Sequence, residues 1–546
     1  MTATERADRT DKADELCSQA FDAAGCPDVG VALVSVGGYG RRELAPFSDL
    51  DVVLVFDDGV EPGEWASQLW YPLWDSGANI DHSVRSLAEM LEQSAADLRV
   101  ALGLLDVRHV AGDPNLTLRL RSAVLAAWRQ GARSRLPDLR SLVAGRAEMM
   151  GELAHSSVPD LKESLGGLRD ATVINGLVAT WLVDVPHADL ERCRRSLLDV
   201  RDALHAAAGR ATDRVAPEYW PQIAEALNLP DARAAQIFTR ALGRRITHIS
   251  RLTWRRVDGI IRQGSSGLRT RRPQLQPVAP GVAIAADEVV LSATSKPERD
   301  PVLLLRAAAE ASERGLVLSP PTVARLVRDC PPLPVPWPDE ARTCLVRLLA
   351  GPGLLVVWET LDETDAIGTF LPDWERVRLL PHASVVHRFT VDRHLVETCM
   401  EASRLIPRVS RPDVLMISAL LHDIGKGGTI EHSIEGQPIA RAIAQRMGFG
   451  VEDVDLIGDL VRWHLLLAEV ATTRDPEDPQ TVELVTEHVH NRDELELLAA
   501  LTEADARATS PKAWTTWRAS MITTLARRTA AALNDVAPVE PAPPIV

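Results

Sequence analysis

Residues 31–56, VALVSVGGYGRRELAPFSDLDVVLVF, restrict the possible folds more than any other stretch of the chain. Two short apolar runs, VALVSV (31–36) and DVVLVF (51–56), flank a glycine-rich segment, which predicts two strands around a tight connection. Residues i and i+2 of a strand share a face about 7 Å apart, so Asp49 and Asp51 project side by side at the mouth of the second strand. Carboxylates held that close repel unless a cation lies between them. Mg²⁺ suits the position, because it takes oxygen ligands and bridges carboxylates to phosphates. A pair of such ions stabilises the attacking and leaving oxygens of an in-line nucleotidyl transfer. Gly37, Gly38 and Gly40 let backbone N–H groups approach a triphosphate, Arg41 is placed to neutralise charge, and Ser48 to donate to a phosphate oxygen. A third acid is expected from a neighbouring strand, and Asp81 in NIDHSV (79–84) has that place. A turn that solvates a strand entrance would account for a lone DxD, but not for the whole order of GG, Ser-Asp-x-Asp, strand and later strand acid.

The rest of the chain reads as mostly helical. A helix is expected over WASQLWYPLWDSG (65–77), and 86–265 carries apolar residues at helical spacing with few strand signals. A Gly/Pro/Arg-rich break (265–281), a small hairpin (282–293) and helices around the proline cluster 330–338 follow. A second helical block covers about 380–533, ahead of a proline-rich tail. At 546 residues the chain exceeds one hydrophobic core. The expected division is 1–145 α/β, 146–265 helical bundle, 266–380 connecting region with hairpin and helices, 381–533 helical and 534–546 tail. The net charge of −16 argues against bulk nucleic-acid binding, which needs a basic face. Six scattered cysteines without a CxxC pair read as reduced thiols, and no apolar run suggests a leader or a membrane span. A cytoplasmic protein is expected.

A second set of residues sits in the C-terminal half. HRFTVDRHLVETCM (387–400), ALLHDIGKG (419–427), EHS (431–433), VRWHLLLAE (461–469) and LTEADARATS (501–510) fall on successive helices. His394, His422, Asp423 and Asp505 supply two imidazoles and two carboxylates to one ion, and His432 and His464 would extend the set to a second. Mixed N and O ligands suit Mn²⁺, Fe²⁺, Zn²⁺ or Mg²⁺. Such an ion lowers the pKa of a water aimed at phosphorus, and Lys426 is placed to stabilise the developing charge. His382, His387, His488 and His490 have no place in the set and read as structural or surface residues.

GGYGRRELAPFSDLD resembles the nucleotidyltransferase signature, and the order His, His-Asp, His, His, Asp resembles the HD phosphohydrolase pattern. With LWDSGANIDHSVRS, PDLKESLGGLRD (159–170) and LPDWERV (371–377), the chain from about residue 30 to 510 is similar to the bifunctional uridylyltransferase/uridylyl-removing enzymes that modify the PII nitrogen-signalling protein. That resemblance implies an α+β, predominantly helical protein with three parts: a polymerase-beta-like nucleotidyltransferase α/β domain, a helical bundle and an all-α HD phosphohydrolase domain. It implies Mg²⁺-dependent transfer of UMP or AMP, from UTP or ATP, to a tyrosine of a PII trimer, and hydrolytic removal at the HD domain. Gly37, Gly38, Asp49 and Asp51 carry over as nucleotide and metal binders, and His394, His422, Asp423, His432, His464 and Asp505 as hydrolase ligands. Asn79 stands where the family often has glutamate, and Asp81 on the same strand face is the substitute. The family's glutamine-sensing ACT domains are not found after the HD block in this sequence, so the resemblance implies either a truncated form or a chain that senses nitrogen differently, with glutamine kept as an effector. KESLGGLRD reads equally as support for the transferase cleft and as a Gly-Gly turn capped by Asp170. The competing reading keeps the architecture but gives the transferase a small-molecule acceptor and the HD domain a nucleotide substrate.

Overall fold

The computed structural model describes residues 3–263, 274–381 and 389–535. The chain divides into two compact units, Met1–Leu268 and Arg269–Val546, and both are α+β with helix predominating.

In the first unit, strands β1 (Val31–Ser35), β2 (Leu50–Phe56), β3 (Ile80–Ser86) and β4 (Arg108–Gly112) form one sheet in the order β3-β2-β1-β4. β2 runs antiparallel to β1 and parallel to β3. The unbroken apolar runs of β1 and β2 arise because both sheet faces are covered. Leu33, Val52 and Leu54 pack with Phe21 of helix α1 (Ala3–Ala23) and with Leu73. Ala32, Val34, Val53 and Val55 pack on the other face with Leu116 and Leu120 of α2 (Pro114–Met150). Asp113 starts α2 by accepting hydrogen bonds from the N–H groups of Asn115 and Leu116, with Pro114 at the first helical position.

Three sequence expectations change here. β4 lies within the stretch read as helical. RHVAG is short and has a polar lead, and it becomes a strand by pairing with β1 across a register shift at Leu33/Val34. The expected 65–77 helix is two short pieces, Trp65–Gln68 and Trp70–Asp75, with Pro72 removing one donor from the ladder. The expected boundary at 145 falls inside α2. Ala101, Leu102 and Trp128 share a core with Val173, Leu177 and Trp254, so the α/β part and the bundle are continuous. The bundle is built from α3 (Leu168–Ala179), α4 (His187–Ala208) and α5 (Ala232–Gln263).

The second unit has a single extensive core. The expected hairpin is present as β6 (Val282–Ala285) and β7 (Glu288–Leu291), turning through Ala286 and Asp287 with φ of 50° and 63°. Two consecutive residues at positive φ make a two-residue turn of the twist-matched kind. β5 (Gln276–Ala279) and β8 (Val317–Leu318) extend the pair to four strands. Residues 282–380, read from sequence as a connecting region, contribute Val282, Leu303, Leu345 and Leu361 to the same core as Leu415, Ile417 and Leu498. At its centre, α6 (Pro412–Leu421) is buried at every residue from Val414 to Leu421, as a helix apolar all round must be.

His382 and His387 lie outside the described residues, as does nearly all of the proline-rich tail. The six cysteines are free thiols, five of them buried. Among the described residues, no single helix is long and apolar enough to cross a membrane.

Candidate active sites

In the first unit the acid trio forms at one end of the sheet. The Leu50 N–H donates to Asn79 O at 2.8 Å, which sets the parallel register and stands Asp51 opposite Asp81. Asp51 is half-buried, while Asp49 and Asp81 are exposed. Burial raises the Asp51 pKa, followed by repulsion from Asp81; Lys162 and Arg41 oppose the rise and Asp49 adds to it. Asp81 and Asp49 both act as like charges on Asp51, and neighbouring carboxylates favour a cation between them. The backbone leaves room for one. Gly37, at φ +56°, opens the short helix Gly37–Gly40, and a Cβ at that position would stand 3.3 Å from Asp51 Oδ2. Gly38 follows it in the same turn.

Arg41 and Ser48 are already engaged. Arg41 donates to Glu43 at 2.7 Å and to Asp106 at 2.5 Å, so its guanidinium braces the glycine turn. Ser48 Oγ accepts from the Ala45 N–H at 3.0 Å and from Arg201 at 3.4 Å, and the other face of Arg201 donates to Asp213 at 2.6 Å. Arg201, Asp213 and Lys162 are residues that the sequence reading did not single out. Of the three, only Lys162 had a sequence signal, its place in the KESLGGLRD motif.

In the second unit the histidine set comes together because several ligands sit at helix ends. His394 lies on α7 (Val391–Ser403), and His422 and Asp423 follow α6 directly. His432 opens α8 (His432–Arg446), read here as the helix after the HD turn, and His464 ends α9 (Val451–Trp463). Asp505 lies on α10 (Arg492–Thr509). His394 Nε2 is 3.2 Å from His422 Nε2 and 2.9 Å from Asp505 Oδ1. His422 Nε2 is 3.5 Å from Asp423 Oδ2, whereas Asp423 Oδ1 faces His432 Nε2 at 3.5 Å and His464 Nε2 at 3.8 Å. Two ligand groups result, His394/His422/Asp423 and Asp423/His432/His464, and they share one carboxylate.

The ring orientations suit coordination. His422 Nδ1 lies 3.0 Å from Ala419 O and His464 Nδ1 2.8 Å from Val461 O, so each Nδ1–H donates to a carbonyl and each Nε2 faces the centre. His432 Nδ1 lies 3.1 Å from Glu431 Oε1, a carboxylate partner of the same kind that the sequence reading passed over. Burial pushes the Asp423 carboxyl up, but His422 and Lys426 outweigh it and hold the group well below the usual range. Burial likewise opposes, and His394 and His422 override, at Asp505, whose pKa is also lowered. Burial and then His422 pull His464 down to about 4, which keeps it neutral. Asp423 Oδ1 is buried and accepts no hydrogen bond. An orphaned carboxylate oxygen between neutral imidazoles fits a divalent cation. Lys426 Nζ is 2.6 Å from Asp423 Oδ2 and so secures a ligand. His488 stacks on Trp463 at 3.8 Å and His490 is exposed, both away from the set as expected.

Comparison with known proteins agrees with this division. The HD domain family model matches residues 391–510, from the helix of His394 past Asp505. The family model described as GlnD PII-uridylyltransferase matches 177–255, which contains Arg201 and Asp213. The bifunctional uridylyltransferase/uridylyl-removing enzyme of Streptomyces coelicolor is 49% identical over 527 residues, covering 94% of this chain and 63% of the relative. The enzyme of that name from Mycobacterium tuberculosis strain H37Rv is 42% identical, covering 95% and 65%. That of Corynebacterium glutamicum is 34% identical, covering 94% of this chain and 73% of the relative. The chain belongs to the bifunctional uridylyltransferase/uridylyl-removing enzyme family. It spans a little under two thirds of the length of the first two relatives. The two candidate centres described above lie in different units of the chain.

Proposed function

We propose that the chain carries two opposed activities on one protein substrate. The first unit transfers UMP or AMP from UTP or ATP to a tyrosine hydroxyl of a PII-type signalling trimer, and the second hydrolyses the phosphodiester off again, with glutamine as an effector. The observation that supports this reading is the presence of two separate anion-handling centres, a strand-borne acid trio and a histidine-rich carboxylate centre, in units with separate cores.

In the transfer, Asp49, Asp51 and Asp81 hold Mg²⁺, the Gly37–Gly38 backbone borders the phosphates, and Arg41 and Ser48 keep the turn and the SDLD segment in place. In the hydrolysis, His394, His422, Asp423 and Asp505 hold one divalent ion, His432 and His464 extend the set, and Lys426 orients Asp423. Bound divalent ions neutralise phosphate charge and lower the pKa of water. The test is incubation with labelled UTP or ATP, with and without a PII trimer and with glutamine varied. Label on the trimer that is released by the second unit is the expected result. Label on a small acceptor and never on the trimer overturns the protein-substrate reading. Asp51→Asn is expected to abolish transfer and spare removal.

A further inference from the structure

We propose that Lys162 is the ammonium that binds the phosphates of the nucleotide donor beside Asp49, Asp51 and Asp81. The inference rests on the transferase reading above. Lys162 stands in PDLKESLGGLRD, and its backbone is pinned on both sides. Its own N–H and that of Glu163 donate to Asp160 Oδ1 at 3.0 and 2.7 Å, and the Arg169 N–H donates to the Lys162 carbonyl at 3.0 Å. One residue earlier, the Leu161 N–H donates to Asp213 O at 2.8 Å. The Asp213 carboxylate receives Arg201, which also reaches Ser48. The loop bearing Lys162 and the segment bearing Asp49 thus share one brace.

The glycine pair of the motif exists to shape this loop. A Cβ at Gly167 would stand 2.8–2.9 Å from the carbonyl oxygens of Leu161, Lys162 and Ser164, and Gly166 holds φ +86°. Buried Asp170 closes the turn by accepting the Gly166 N–H at 2.5 Å. What this rigid loop presents is a half-buried side chain whose ammonium makes no ion pair or hydrogen bond among the described residues. Its charge nevertheless acts on Asp51 and on Asp213. Arg41, the other cation acting on Asp51, is already paired with Glu43 and Asp106. Among the described residues, Lys162 is therefore an unpaired cation able to meet an anion at the acid trio.

In the transfer, an acceptor oxygen bonds to the α-phosphorus as the bond to the β-phosphate oxygen breaks. Pyrophosphate leaves with the electron pair and the acceptor proton passes to water. The Lys162 charge offsets the charge that pyrophosphate gains.

The test titrates MgUTP and MgATP onto the full chain without acceptor, for wild type, Lys162→Gln and Lys162→Arg, and times removal in parallel. Lys162→Gln is expected to bind the better donor roughly 10- to 100-fold more weakly, with weaker inhibition by pyrophosphate and an unchanged removal rate. Lys162→Arg is expected to recover most of the loss. Unchanged donor binding and pyrophosphate inhibition in Lys162→Gln overturns the assignment and leaves the transferase reading standing. Wild-type protein that binds neither MgUTP nor MgATP overturns that reading and the assignment together.

Discussion

Asp423 gives one carboxylate oxygen to each of two imidazole groups, and it is the residue the two groups share. Asp423→Ala is expected to lower removal by roughly 10³-fold or more and to cut Mn²⁺ binding measured by calorimetry, while transfer stays at the wild-type rate. Loss of both activities in a folded variant would refute the two-centre account. His248 on α5 makes a different prediction. Burial, reinforced by Arg245, Arg251 and Arg255, lowers its pKa to about 4. Between pH ~6.5 and ~4 the unfolded chain binds a proton that the folded chain refuses, so this contribution is complete above pH ~6.5 and is lost as pH falls. It is on the order of 3 kcal/mol, and His248→Gln should flatten that part of the stability–pH curve in denaturant titrations. At this scale the sequence was most legible where chemistry is carried by type and order, as in SDLD and HD. Lys162, Arg201 and Asp213 were not legible, because what brings them to Asp51 and Ser48 is long-range folding across more than a hundred residues.

Helix ends, rather than helix faces, present many of the ligands in the second unit. His422, His432 and His464 all stand where a helix starts or stops, so the turns between helices carry the precision. Gly425 is packed directly on backbone at one of these points: an added Cβ would meet the His432 carbonyl and stand 2.5 Å from Gly436 N. Gly425→Ala should push the HD turn off α8, costing about 1–3 kcal/mol and most of the removal activity, read by chemical denaturation and a removal assay. The β6–β7 turn offers the opposite case. Ala286 sits in the left-handed region that Asn tolerates better, so Ala286→Asn should raise the stability of the second unit by about 0.5–1 kcal/mol. Strongly apolar strands and long helices were legible from local pattern. β4 was not, since its strand character comes from the edge of β1 and not from its own five residues.

The two units have separate hydrophobic cores, so ligands for one should leave the other alone. Thermal unfolding of the full chain should show two transitions. Mn²⁺ should raise only that of Arg269–Val546 in a chain whose acid trio is disabled by Asp51→Asn, and MgUTP or MgATP only that of Met1–Leu268 in the wild type, each by about 2.7 kcal/mol at a hundredfold excess over Kd. A single transition moved by both ligands would show that the units melt as one. The expected break at 265/266 falls beside this division, whereas the expected boundaries at 145 and 380 cut through continuous cores, because composition changes along the chain faster than cores do. Access to solvent differs between the two halves of the histidine centre. The side chains of His394, His422 and Asp423 are at most 2% exposed and that of Asp505 is 17% exposed, whereas that of His432, on the outer group with buried His464, is 25% exposed. Metal exchange should follow that gradient. A chelator ought to strip the outer position in a fast phase and the inner one only as slowly as the surrounding helices breathe, so the loaded protein would carry one labile ion and one nearly permanent ion.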